Sequence, residues 1–272
     1  MESSTKQIIK NMFTIPNLLG SVIPLQIFGV WALYKLFEGS APSWWIFATI
    51  VGYICIKILG VTSCYHKMLS HKGFTTTKFM RRLMLWFALI SGQGSPIFWV
   101  LVHRGYHHRY TDKAGDPHSP KEGFWHSYVL WMFKLQEGSM NSKYVIDLLR
   151  DDDCVFIHKH YIKLLWASHL IVALISVDLW LYTMILPAFI TFHSYSIQTS
   201  LGHNLKLGYT NYKLDNDAVN LPWLFPFILG ECWHNNHHED PQNPNYGGRR
   251  WWELDPGYWL IKLIRTDHQS RS

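Results

Sequence analysis

Apolar residues run almost unbroken over 18–37 and again over 42–64, with only Glu38-Gly-Ser-Ala between the two runs. Each is long enough to cross a bilayer as a helix, which takes about 20 residues, and the short polar link predicts an antiparallel hairpin. Two further runs, 162–177 and 179–197, are parted by Asp178 alone and predict a second hairpin. The stretch 83–102 is apolar too, but Gln93, Gly94-Ser-Pro and the flanking Arg81-Arg82 weaken it as a span. It predicts a helix lying in the interface or the core. Around 125–135 the pattern is amphipathic and predicts an interfacial helix. The expected fold is therefore all-α and integral to the membrane, with four transmembrane helices in two hairpins. Polar segments 65–161 and 198–272 form a helical cap, and the whole of 1–272 makes one domain.

Charge placement orients this arrangement. Lys and Arg gather in the N-terminal, middle and C-terminal polar segments, and the outer loops carry none. The positive-inside rule then puts both termini and the polar mass in the cytoplasm, at a bacterial inner membrane or one like the endoplasmic reticulum. The net charge of +6 needs no nucleic acid to explain it. Lys57, inside the second span, is expected to snorkel toward the cytoplasmic end. Charged residues make up 16% where soluble domains have about 25%, and mean hydropathy is −0.03, so the chain is neither disordered nor wholly embedded. The first run exceeds the roughly 7–15-residue core of a signal peptide. Cys55, Cys64, Cys154 and Cys232 show no framework spacing and read as reduced thiols.

Sixteen histidines change the picture. Eight form three clusters: His66 and His71 as H-x4-H; His103, His107 and His108 as H-x3-H-H; His234, His237 and His238 as H-x2-H-H. Residues three and four apart share a helix face, so His234, His237 and His238 can enter one pocket, and so can His103 and His107. Packing gives no motive for stacked imidazoles, whereas transition-metal ligation does. Eight nitrogens are too many for one tetrahedral zinc and suit two metals with four or five ligands each. H-E-x-x-H is absent, which argues against a zinc protease. Glu231 and His234 make a single E-x-x-H, whereas ferritin-like di-iron sites need two plus further Glu. Asp112, Asp116, Glu231, Glu239 and Asp240 are expected to accept from imidazole N–H groups.

With their surroundings, these clusters resemble the membrane fatty-acyl desaturase family, most closely its acyl-CoA Δ9 (stearoyl-CoA) type. Leu59-Gly-Val-Thr-Ser-Cys-Tyr-His66 leads into the first cluster; Gln93-Gly-Ser-Pro and Trp99-Val precede the second, and Gly115-Asp-Pro-His-Ser-Pro120 follows it. Gly230-Glu-Cys-Trp-His-Asn-Asn-His-His238 carries the third, followed by Arg250-Trp-Trp-Glu-Leu-Asp255. The resemblance implies a di-iron centre with His203 as a ninth ligand, and O2 as co-substrate. It implies an acyl-CoA, other acyl thioester or acyl lipid as substrate, in contact with membrane lipid. It also implies a separate electron donor of cytochrome b5, ferredoxin or rubredoxin type, since no H-P-G-G signature occurs. Gln93, Trp99, Tyr195 and Ser196 would line the acyl tunnel, with Thr62 and Ile58 nearer its closed end. His118 would sit beside the ligands or the head group. Three departures stand out. The second box is one residue longer than the usual H-x2-H-H and needs a local adjustment of its helix. Thr199 replaces an Asn that can hold a metal-bound water. Tyr195-Ser196 replaces a Thr-Trp pair at the tunnel bend.

A membrane di-iron hydroxylase shares the box logic and is the first competing reading. A His-rich metal transporter is the second, but it predicts ligands inside the spans. His126, His158, His160, His169, His193 and His268 are expected to be ordinary surface or interface residues.

Overall fold

The computed structural model describes residues 15–135 and 140–266, with side chains from residue 20 onward; His268 lies outside this range. Among the described residues the chain is helical, with isolated backbone bridges but no strands. Helix α1 spans Ile15–Phe37 and α2 spans Trp45–Ser70. α3 is Lys78–Leu89, α4 covers 96–110, and the short α5 covers 126–134. α6 is Asp152–Ile175, α7 covers 177–201, α8 is His234–Glu239 and α9 is Pro256–Ile264.

Among the described residues, two helices are long and apolar enough to cross a membrane, through Gly20–Phe37 and Trp45–Ser70. α6 and α7 match them in length but carry Lys159, Lys163, His169, His193 and several hydroxyls, which lower their apolarity. α6 and α7 meet at Ser176, whose side chain caps the second helix by accepting from Leu179 N–H. Lys35 of α1 pairs with Asp178 at this junction at 2.5 Å, tying one hairpin to the other. Glycine allows a close crossing of α2 and α3. A Cβ on Gly60 of α2 would stand 2.6 Å from the backbone nitrogen of Ala88 in α3, so only hydrogen fits there.

The structure departs from the expected pattern in two places. The 83–102 stretch is broken between α3 and α4, where Gly92 and Gly94 take φ of +73° and +99°, a region favouring glycine. Ser95 then caps α4, with Pro96 in its first turn. Lys57 does not snorkel. It is 1% exposed, and its ammonium lies 4.2 Å from the ring centre of Tyr195, inside the bundle. Below the bundle, Tyr65, Leu85, Ile97, Leu101, Leu148 and Cys154 form a core joining α2, α3, α4 and α6. A second core, including Val219, Leu221, Ile228 and Trp233, supports α8. All four cysteines are free thiols.

Candidate metal centre and cavity

In an α-helix five residues turn through roughly 500°, leaving the pair some 140° apart. The H-x4-H spacing of His66 and His71 would thus point them to different faces. α2 avoids this by winding with i→i+5 hydrogen bonds over Ile54–Ser70, so that the His71 N–H donates to the His66 carbonyl at 3.2 Å. α4 repeats the device over Leu101–His107, where the His108 N–H donates to the His103 carbonyl. Such wide turns are rare and concentrate at functional sites. Here they bring the first and last histidine of each box to one side, and in α4 they accommodate the extra residue of box two.

The ring nitrogens converge in two groups. One gathers His66, His71, His103, His108 and His237; the other gathers His107, His203, His234 and His238, with all ligand atoms in each group within 4.8 Å of one another. Neighbouring Nε2 atoms in the first group lie 2.9–3.1 Å apart: His66–His237, His71–His103, His103–His108 and His108–His237. The second group has His203–His234 at 2.9 Å and His234–His238 at 3.1 Å. Hydrogen bonds cannot satisfy such a set. The Nδ1 atoms of His66, His107 and His203 face the carboxylates of Glu231, Asp116 and Asp112 at 2.7, 3.0 and 3.1 Å. A proton on Nδ1 leaves Nε2 as a lone pair. Burial, and then the charge of neighbouring rings, holds His103, His108, His234, His237 and His238 well below the ordinary imidazole range, so these rings are neutral. Converging lone pairs repel unless a cation sits among them.

The spacing also bears on the kind of cation. Nitrogens about 2.0–2.1 Å from one ion are about 2.9 Å apart at right angles and about 3.3 Å apart in a tetrahedron. The observed edges fit right angles, and five nitrogens exceed a tetrahedron in any case. The donor set thus fits two metal ions of octahedral or square-pyramidal preference. Glu239 and Asp240 reach no box histidine among the described residues.

Next to both groups lies a cavity between α1, α4, α5 and α7. Its wall is mostly apolar, with Val22, Phe98, Val102, Trp131, Met132 and Phe192, and it reaches His66, His103, His107 and His234. Gln93, Trp99, Tyr195, Ser196, Thr199 and His118 all line it. The Trp99 indole N–H donates to the Gln93 side-chain oxygen at 3.4 Å, and the Thr199 hydroxyl donates back to the Ser196 carbonyl at 3.1 Å. Thr62 and Ile58 do not reach this wall. Thr62 lies one hydrogen bond behind it, 2.9 Å from the Tyr195 hydroxyl, and Ile58 is buried. Of the lone histidines, His126, His158, His169 and His193 bond Pro117, Ser95, Ile90 with Trp180, and Tyr128.

Residues without metal-ligating chemistry hold box three in place. Asn235 accepts from the backbone of Asn211 and Tyr212 and donates to the carbonyls of Tyr212 and Ala218. Asn236 donates to Tyr246 O and Glu253 and accepts from Asn211 and Asn220. Lys67, buried in α2, pairs with Asp255 at 2.8 Å and lies 3.8 Å from Glu231. An Asn doublet inside a helix, opposite the imidazoles, is the one sequence signal that could have pointed to this clamp.

Comparison with known proteins agrees with this geometry. A family model described as fatty acid desaturase matches residues 42–270. The chain is 34% identical over 210 residues, covering 76% of it and 67% of the relative, to Delta-9 acyl-lipid desaturase 2 of Arabidopsis thaliana. It is 32% identical to the sn-2 palmitoyl-lipid 9-desaturase of Nostoc sp. (strain 36), covering 90% of this chain and 87% of that one. The acyl-CoA 5-desaturase AL21 of Anemone leveillei is 28% identical over 84% of the chain and 70% of its own. Apolar spans, paired histidine groups and these relatives lead to one conclusion: the chain belongs to the fatty acid desaturase family of membrane oxidoreductases that act on fatty-acyl chains.

Proposed function

We propose that the protein inserts a cis double bond at the Δ9 position of a long acyl chain, using O2 and two electrons from a separate carrier. The observation that carries this reading is the apolar cavity ending on two groups of converging imidazoles. His66, His71, His103, His108 and His237 would hold one iron, and His107, His203, His234 and His238 the other. Bound there, the irons supply the oxidising power to remove two hydrogens from adjacent methylenes while O2 is reduced to water. The chain's own residues do the rest. Glu231, Asp116 and Asp112 fix which imidazole nitrogen faces the metal. The apolar wall excludes water, and Trp99, Gln93, Tyr195 and Ser196 orient one carbon pair of the chain toward the ligands.

The same proposal includes a four-span topology with the histidines on the cytoplasmic side. Ile27, Val30 and Tyr34 of α1, Phe47 and Ile50 of α2, and Leu170, Ile171, Leu174 and Ile175 of α6 are all exposed. So large an apolar belt suits lipid and not water. The acyl carrier would be a lipid or a thioester, and the single desaturase unit would span the chain.

The test is expression in a desaturase-deficient host, followed by mass spectrometry of the acyl chains with location of double bonds. Δ9-unsaturated chains are expected. Chains that gain an oxygen, with no loss of hydrogen, would establish a hydroxylase instead.

A further inference from the structure

Resting on that two-metal reading, we propose that Gln198 is a positioning residue that holds a water molecule on the ion of the four-histidine group. One group offers five nitrogens and the other four, so the second ion has one protein ligand fewer. Gln198 lies on α7 beside it. The side chain is 5% exposed, and neither its amide nitrogen nor its amide oxygen has a partner. It lines the cavity together with His107 and His234. The point where a Cβ on Gly202 would sit is 2.8 Å from the Gln198 amide nitrogen and 3.0 Å from His234 Cδ2. The amide and the ring edge that carries the ligating nitrogen of His234 thus lie within about 6 Å of each other, on either side of room that glycine leaves open.

A buried amide with no partner is costly, at about 1–3 kcal/mol for each unsatisfied group, and native structures rarely tolerate it. The buried amides of Asn235 and Asn236 are satisfied at both ends, whereas that of Gln198 has no partner at either. The Thr199 hydroxyl donates onto its own helix, which leaves it only as an acceptor, whereas the Gln198 amide has a free donor and a free acceptor. Of the other polar groups on the wall, Gln93 accepts from Trp99 through its side-chain oxygen, and His118 lies tilted against His107 at 4.5 Å between ring centres with its Nδ1 3.6 Å from Asp116. A metal-bound water accepting from and donating to Gln198 satisfies the amide and completes the ion.

The experiment uses the purified full chain in lipid nanodiscs, loaded with cobalt(II), counting metal per chain and recording the visible ligand-field absorption. Wild type should hold two cobalt ions. Gln198→Met should keep both while absorption per cobalt rises about twofold, as one ion loses its water and becomes four-coordinate. Gln198→Glu, which retains an acceptor, should keep the wild-type spectrum. An unchanged spectrum in Gln198→Met at two cobalt per chain overturns the proposal and leaves the two-metal reading standing. Loss of metal to the same degree in both variants also overturns it, since that marks a purely structural residue. Fewer than two ions in wild type would remove the two-metal reading, and the proposal with it.

Discussion

Replacing Glu231 separates the contribution of one carboxylate from the metal centre as a whole. Its Oε2 stands 2.7 Å from His66 Nδ1 and its Oε1 3.8 Å from Lys67 Nζ, in a site only 6% exposed. Burial alone would raise this carboxyl, but the His66 ring, Lys67 and Lys57 bring it down to about 2, so it is a full acceptor at neutral pH. A hydrogen bond to a charged group is worth about 1.5–3 kcal/mol, which agrees with the 10–100-fold typically lost when a ligand's outer partner is removed. Glu231→Gln keeps an acceptor oxygen and should weaken the five-histidine ion by about tenfold. Glu231→Leu keeps none and should weaken it by about a hundredfold. Lys67 retains Asp255 at 2.8 Å in either variant, so the fold should persist. The assay is chelator competition on metal-loaded protein, with metal counted per chain. One ion should leave early and the other, oriented through Asp112 and Asp116, should stay. Equal loss of both ions, or no change in either variant, would refute the link from Glu231 through His66 to one ion.

Three further outcomes are expected. Val22→Trp should fill the apolar cavity and cut product formation by more than about tenfold while both metals remain; product formed at the wild-type rate would place the acyl chain elsewhere. Asn236→Ala leaves Asn220, Glu253 and the Tyr246 carbonyl short of partners, so it should destabilise the fold by about 2–5 kcal/mol, read as a lowered midpoint in thermal unfolding. For the metal-free protein, burial outweighs the pull of Asp116 and holds His118 down to about 4, below its unfolded value of about 6.5. The folded state then binds fewer protons, so this contribution is complete above about pH 6.5 and disappears as the pH falls from there to about 4. The thermal midpoint should drop across that window, and a midpoint that rises on acidification would contradict the assignment.

Much of the site was legible in the sequence because ligating chemistry is concentrated in few residue types. The structure gathers all nine candidate histidines, and Asp112, Asp116 and Glu231 each meet one of them. Two ions with four or five ligands each were expected, but which histidine joins which group was not legible. It depends on helix winding and on α8 sending His237 one way and His234 and His238 the other, and neither leaves a mark on composition. Lys57 misled because a charge in an apolar run is expected to seek water, whereas here the Tyr195 ring receives it. The break in the 83–102 stretch was signalled by Gly92 and Gly94 but masked by the apolar residues around them. Asn211 and Asn220 could not be read as partners of Asn235 and Asn236, since only the folded chain brings 211–220 against 235–236.

The wide turns of α2 and α4 bear on how such proteins diverge. Each closes on a backbone bond between the outer histidines of its box, so residue count and helical pitch act together as a vernier. An inserted residue advances the chain, and a broader coil turns it back into phase. Box length is therefore a poor ruler of what a centre can ligate. Two chains that differ by one residue between their histidines can deliver the same nitrogens to the same place, provided the surrounding helices hold the looser winding.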